Sequence, residues 1–347
     1  MIQEAINRLA EGGDITFEET KSVAGEIMSG DATPIQVGAF LTALRIHGEQ
    51  KHHLLAFARV MKEKVIPISA PENQVIIDTC GTGGDRRGTF NISTAAAFII
   101  AGAGVLVAKH GNRSVSSTCG SADVLEELRV NIQPPKEIVE RCLKEIGIAF
   151  IFAPMCHRAM KHAAQPRREI GIRTIFNMVG PIVNPSNITH HVLGVFSKDM
   201  LQTYGEVLRD LGLKGAIIAH SDDGLDEITT TSRTNIVEFK SDGVLRSYTI
   251  EPEDFGFRRI VLADIKGKDK ETNAAIMESV LRGAPGSYLD VCLFNAGFGI
   301  YITGKTDTIQ NGIEMAQESV RSGSAMAKLD ALRELSHAAD NEGHASQ

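Results

Sequence analysis

Val75-Ile76-Ile77, then Gly81-Thr82-Gly83-Gly84-Asp85, then an alanine-rich run from Thr94 to Ala103, then Val105-Leu106-Val107-Ala108: this stretch decides the fold. The β-branched triplet reads as a short buried strand and the glycines as a loop. The alanine-rich run reads as a helix, and the Val-Leu-Val segment as the next strand. A strand, loop, helix and strand in this order imply a parallel sheet and a right-handed crossover.

Toward the C-terminus the alternation continues. A helix follows Pro134-Pro135, and strands are expected at Ile148 to Phe152, Val192 to Phe196 and Ala216 to Ala219, with a helix at Met200 to Leu211. Arg233 to Phe239 and Val244 to Ile250, joined by Asp242-Gly243, read as a hairpin. A helix near Glu271 to Arg282, a long helical segment from Asn295 to Leu335 and a polar, frayed tail from Ala338 to Gln347 complete the chain. Toward the N-terminus the pattern is helical. Thr16-Phe17-Glu18-Glu19 and Thr33-Pro34-Ile35-Gln36 are capping-box starts, the second with proline at the first helical position. Val37, Phe40, Leu41 and Leu44 mark one helical face, Gly48 ends that run, and a further helix spans Glu49 to Lys64. The fold class is therefore α/β: a small all-helical domain (1–70) and a larger α/β domain (71–347) with a central, mostly parallel sheet flanked by helices.

Composition narrows the function. The chain has 347 residues, roughly two domains of ~150. It carries 36 Lys and Arg against 43 Asp and Glu, a net charge of −7. A generic nucleic-acid binder is usually basic, so an anionic ligand here needs a local cluster of donors. The five cysteines, Cys80, Cys119, Cys142, Cys156 and Cys292, are scattered without a CxxC pair, which indicates free thiols in a reducing compartment. No signal-type apolar run opens the chain, and its most apolar stretch, Ala95 to Ala108, is too short to span a bilayer. These features predict a cytoplasmic protein with no membrane and no nucleic-acid partner.

Four segments carry chemistry. Gly81-Thr82-Gly83-Gly84-Asp85 lets backbone amides approach an anion between a strand and a helix. It matches neither the dinucleotide nor the P-loop spacing, and by itself a plain tight turn is the better reading. Asn91-Ile92-Ser93-Thr94 opens the helix, with helix capping as the plain alternative. Lys109-His110-Gly111-Asn112-Arg113-Ser114-Val115-Ser116-Ser117 follows the second strand, at the carboxyl end where ligands bind in open α/β sheets. Asp222-Asp223-Gly224-Leu225-Asp226-Glu227 follows a later strand. Its crowded acids suit a hard oxygen-seeking cation such as Mg²⁺, or else form an acidic turn. His157 and His162 lack the spacing of a zinc pair, and His52-His53 and His190-His191 read as ordinary surface or core residues. Arg167-Arg168 offers a carboxylate partner or a solvated pair.

Together these motifs resemble the anthranilate phosphoribosyltransferase family, within the nucleoside-phosphorylase-like class. Asp78 to Asp85, Asn91 to Thr94, Lys109 to Ser117 and Gly120 to Leu125 carry the likeness. So do Met160 to Ala164, Arg167 to Glu169, Arg173 to Asn177, Gly180-Pro181 and Asp223 to Glu227. It covers about residues 3 to 335. The resemblance implies transfer of the phosphoribosyl group of phosphoribosyl pyrophosphate (PRPP) to the amine of anthranilate. It implies that Gly81, Gly84, Asp85, Thr89, Asn91, Ile92, Ser93, Thr94, Lys109 to Ser117 (including His110, Gly111, Asn112, Arg113, Ser114, Val115 and Ser116) and Ser121 surround PRPP. Lys109 would give electrostatic support in place of an acid or base. Gly81, Asn112 and Arg167 would meet anthranilate, and Ser93, Asp226 and Glu227 would hold two Mg²⁺ ions per subunit. It further implies a homodimer joined through the helical domain, to which the segment near 165–190 returns. Departures are His157-Arg158 where His-Pro is usual, Ser114 for Ala and Ser221 for Gly. The rival readings are a pyrimidine-nucleoside phosphorylase, disfavoured by Asp226, Glu227 and Arg167, and a nucleic-acid-binding relative, disfavoured by the net charge.

Overall fold

The structure, a computed structural model, describes residues 1–84, 87–114 and 119–338. Four helices come first: α1 (Ile2–Ala10), α2 (Phe17–Ser29), α3 (Pro34–His47) and α4 (Lys51–Lys64). Both expected capping boxes form, with the Thr16 and Thr33 hydroxyls accepting the amides of Glu19 and Gln36. Val37, Phe40, Leu41 and Leu44 are buried along α3.

Then β1 (Ile76–Gly81), α5 (Ile92–Gly102), β2 (Leu106–Gly111), α6 (Ser121–Glu127), α7 (Lys136–Arg141) and β3 (Ile148–Phe152) follow. After them come α8 (Ala153–Cys156), α9 (Lys161–Ile170), α10 (Ile175–Val179), β4 (His190–Gly194), α11 (Met200–Asp210) and β5 (Gly215–Ser221). The last elements are β6 (Thr234–Phe239), β7 (Arg246–Ile250), α12 (Lys270–Leu281), α13 (Ser287–Ile302), α14 (Ile309–Arg321) and α15 (Ser324–Ser336). The seven strands form one sheet in the order β3-β2-β1-β4-β5-β6-β7. The first five are mutually parallel, and the β6–β7 hairpin extends the edge antiparallel.

Helix α5, apolar almost all round, packs on β1 and β2, and α13 packs beside it on β4 and β5. Helices α9 and α10 lie against the N-terminal bundle, α9 on α2 and α3, and α10 on α4. The bundle is tied to the sheet through α11. Lys51 reaches Glu206 at 3.1 Å and Asp210 at 2.9 Å, and the buried Tyr204 hydroxyl donates to the Met178 carbonyl at 2.9 Å.

Two expectations change. The C-terminal helical segment is three helices, broken at Gly304 and at Gly323, both with φ near +75°. The strand expected at Val192 to Phe196 begins two residues earlier, because it pairs from His190 with β1 and β5. No helix among the described residues is long and apolar enough to cross a membrane.

Candidate active site

Because the central strands are parallel, their carboxyl ends share one side of the sheet, and three of the four chemical segments emerge there. The glycine turn leaves β1, the Lys109 segment ends β2, and the acidic turn leaves β5. Helix α5 begins against the same end. The acidic and glycine turns meet directly: the Gly83 amide donates to Asp226 Oδ2 at 2.7 Å. Glycine is required on both strands beneath that contact. A Cβ on Gly81 would strike the Asp226 carboxylate, and one on Gly194 would strike its carbonyl. The turn is braced from β4 by the Thr82 amide on the Gly194 carbonyl at 2.9 Å and by the Thr82 hydroxyl, which accepts the Phe196 amide at 3.0 Å.

Lys109 is buried, and its Nζ donates to the Thr79 carbonyl at 2.6 Å and reaches Ser93 Oγ at 3.5 Å. Burial lowers its pKa, against the pull of Asp78, Cys80 and Glu227. Ser93 and Thr94 are not the cap of α5. Asn91 occupies that position without a side-chain cap bond, so Ser93 stands in the first turn facing Lys109. Ser93 and Glu227 line one narrow cavity with Thr79, Cys80 and Asn295. Asp226 is 7% exposed. Hydroxyl and carboxylate oxygens at this spot form a hard donor set that fits Mg²⁺. Burial drives the Cys80 thiol well above its ordinary range, which leaves it protonated and unsuited to nucleophilic work.

The other expected residues distribute unevenly. Asn91 is tied by its side chain to the Cys119 carbonyl and to Asn273, and Thr89 bridges to Lys266. Ile92 and Thr94 are buried in α5. The Asn112 carbonyl accepts from Ala122 and from the Ser121 hydroxyl. Close to Gly111 lie the Ser121 hydroxyl and the Phe150 ring. Arg113 is engaged by Glu126 and Asp123 in an exposed network. The Ser114 amide donates to Asp123 at 3.1 Å. Arg167 is half-buried, with its guanidinium 5.4 Å from the centre of the Phe176 ring and its pKa lowered by burial. Among the described residues it has no acidic partner within ion-pair distance, whereas Arg168 is exposed. Gly84 adjoins the Arg173 guanidinium. The contacts expected at Asp85, Val115, Ser116 and Ser117 lie outside the described residues. Of the departures, Ser221 is buried and donates to the Glu227 carbonyl at 2.7 Å, and Arg158 is exposed.

Apart from His110, expected near PRPP, the residues described next received no role from the sequence. Arg173 donates to the Gly83 carbonyl at 2.6 Å and lies 3.7 Å over the Phe196 ring, linking the α9–α10 connection to the glycine turn. His110 and His157 face each other with ring centres 5.1 Å apart. Burial holds His110 well below its ordinary range and His157 down at about 4, so both rings are neutral. Asp78, at the middle of β1, accepts three hydrogen bonds within the core. Far from the sheet, Asp14 gathers His47, His52 and His53. There the Gln50 amide donates to His53 Nδ1, and His53 Nε2 lies 3.1 Å from Asp14 Oδ1.

Comparison with known proteins agrees with this arrangement. Residues 73–326 match the glycosyl transferase family, a/b domain, and residues 3–65 match its helical bundle domain. The chain is 48% identical to the anthranilate phosphoribosyltransferase of Moorella thermoacetica, over 96% of this chain and 97% of that one. It is 46% identical to that of Trichlorobacter lovleyi, over 97% and 100%. Among solved structures, the anthranilate phosphoribosyltransferase of Thermus thermophilus superposes with a TM-score of 0.90 at 37% identity, covering 96% of this chain and 99% of that one. The Saccharomyces cerevisiae enzyme in complex with PRPP and Mg gives 0.88 at 25% identity, covering 97% and 98%.

Proposed function

The chain belongs to the anthranilate phosphoribosyltransferases of the glycosyl transferase family, and from that premise we propose which of its residues carry the reaction. The reaction moves the phosphoribosyl group of PRPP to the amine of anthranilate, giving N-(5-phosphoribosyl)anthranilate and pyrophosphate in tryptophan biosynthesis. The bond from ribose C1 to pyrophosphate oxygen breaks, and its electron pair leaves with pyrophosphate. The neutral amine nitrogen then donates its lone pair to C1 and afterwards gives up a proton. An amine that attacks while neutral needs little help from a base, so the residues required are those that bind, orient and neutralise charge.

In this reading Gly81 and Gly84, with Thr89, Asn91 to Thr94, Lys109 to Ser114 and Ser121, surround PRPP. Asp85 and Val115 to Ser117 complete that set by family resemblance alone. Lys109 faces the charge that grows on the leaving pyrophosphate. Ser93, Asp226 and Glu227 would hold Mg²⁺, two ions per subunit, and the bound metal would supply neutralisation of the same leaving group. Arg167, desolvated and without an acidic partner among the described residues, meets the anthranilate carboxylate, with Gly81 and Asn112 beside the ring. Arg173 carries the position of the bundle to the glycine turn, so closure of the two domains orders that turn while excluding water. The partner is a second copy of the chain. Ile35 and Ile46, 84% and 81% exposed, lie about three turns apart on one face of α3 and suit burial between two helical domains. The enzyme works in the cytoplasm.

The observation that supports the site assignment is the 2.7 Å bond from the Gly83 amide to Asp226, which joins the glycine turn to the acidic turn. The test follows the fluorescence of anthranilate. It should decay only when protein, PRPP and Mg²⁺ are all present. Turnover of uridine or thymidine with inorganic phosphate, and no decay with PRPP, would move the chain to the phosphorylase reading.

A further inference from the structure

Strands β1 and β2 pair at Ile76–Leu106 and Ile77–Val107, and among the described residues their ladder stops there although both strands run on. Beyond that point the gap is filled by two side chains that no reading of the site has used. Asp78, fully buried, accepts the Thr79 amide (2.7 Å) and the His110 amide (3.2 Å) on Oδ1, and Asn184 Nδ2 (2.8 Å) on Oδ2. Asn184 Nδ2 also donates to the Ala108 carbonyl at 2.7 Å, and its Oδ1 accepts the Ser186 amide at 2.8 Å. The pair therefore grips β2 at Ala108 and at His110, the residues on either side of Lys109. It also grips the amide of Thr79, whose carbonyl receives the lysine's ammonium.

We propose that Asp78 and Asn184 are positioning residues for the transferase reaction, a side-chain clamp that replaces strand pairing and fixes Lys109 where the pyrophosphate leaves. This deepens the role given to Lys109 above and rests on it. The clamp permits no isosteric substitute. All three hydrogen-bond partners of Asp78 are donors, so an amide at 78 that kept its oxygen on the two backbone amides would turn its N–H group on Asn184 Nδ2. Asn184 cannot rotate to compensate, because one end of its amide is held by Ala108 and the other by Ser186. Unmade bonds at such a depth are expensive, and a small displacement of a charge-stabilising group costs rate steeply.

The test compares Asp78→Asn and Asn184→Ala with Ile218→Ala, a fully buried position on β5 outside the clamp, each assayed below its own melting temperature. Steady-state kinetics are combined with calorimetric titration of PRPP and Mg²⁺. The clamp variants should lose about tenfold or more in kcat/KM for PRPP, through a lower kcat as well as a higher KM. The Ile218 variant should lose thermal stability alone. Kinetics within twofold of the parent in Asn184→Ala would overturn the proposal and leave the clamp a stabilising feature only. Failure of both clamp variants to fold would do the same, since the pair would then serve the fold and not the site. If the parent itself neither binds nor consumes PRPP, the reading of Lys109 fails instead, which keeps the two outcomes apart.

Discussion

Replacing Asp226 by Asn removes a charge while leaving in place the hydrogen bond that joins the two turns. The Gly83 amide sits 2.7 Å from Asp226 Oδ2, and an amide oxygen can accept the same bond. A bond to a charged acceptor contributes about 1.5–3 kcal/mol and one to a neutral acceptor about 0.5–1.5, so the structural loss is about 1 kcal/mol. In a protein of 347 residues that lowers the melting temperature by only about 1–2 °C. The effect on metal is expected to be larger. Loss even of groups behind a metal ligand costs about 10–100-fold in affinity, and Asp226 is read as a ligand itself. The half-saturating Mg²⁺ concentration in the anthranilate fluorescence assay should therefore rise by at least about tenfold, with kcat reduced at saturation. A variant that melts near the parent and keeps the parent's Mg²⁺ dependence would refute the assignment of Asp226 to the metal.

Arg167→Ala should raise the KM for anthranilate by about 10–100-fold with little change in the KM for PRPP, because a charge-assisted contact of about 1.5–3 kcal/mol is lost; initial rates at varied anthranilate decide it. Gly194→Ala should fold and yet lose most PRPP-dependent turnover, since the added methyl pushes the Asp226 backbone off β4; retained activity would place the acidic turn elsewhere. Acid should destabilise the protein through its buried histidines. His53, His157 and His190 are held down at about 4 and His191 at about 3, chiefly by burial, against 6.5 when exposed. The unfolded chain binds more protons in that window, so stability present above pH 6.5 falls as pH drops toward 4, by up to about 1.4 kcal/mol per pH unit per histidine. Asp78, pushed up to about 6 by burial, and Asp290, also raised by burial, oppose this as pH falls, but they are outnumbered by the buried histidines, His110 among them. Melting curves from pH 7 to 5 should show a steadily falling midpoint, and a flat profile would contradict the neutral, buried state of these rings.

Much of this arrangement was legible in the sequence, and the unread parts have physical causes. The β1–α5–β2 unit announces itself because a short β-branched run, a glycine loop and an alanine-rich helix each obey a local rule. The extent of β1 to Gly81 does not, since it depends on pairing with Gly194 across more than a hundred residues. The requirement for glycine at 194 is likewise invisible along the chain, because it comes from the Asp226 backbone crossing that strand. Lys109 stands out by its company of hydroxyls and cations. Asp78 and Asn184 do not, for their function resides in burial and in the direction of their donors and acceptors. The histidines at 110 and 157 read as unrelated until β2 and the start of the α8–α9 connection bring the rings together.

The most direct test of the central claim is a crystal structure of the protein with PRPP, Mg²⁺ and an anthranilate analogue that cannot react. It should place the pyrophosphate against the Gly83–Gly84 turn and Lys109, with metal between that pyrophosphate and Asp226 or Glu227. Pyrophosphate bound away from Lys109, or metal held without either carboxylate, would contradict the account.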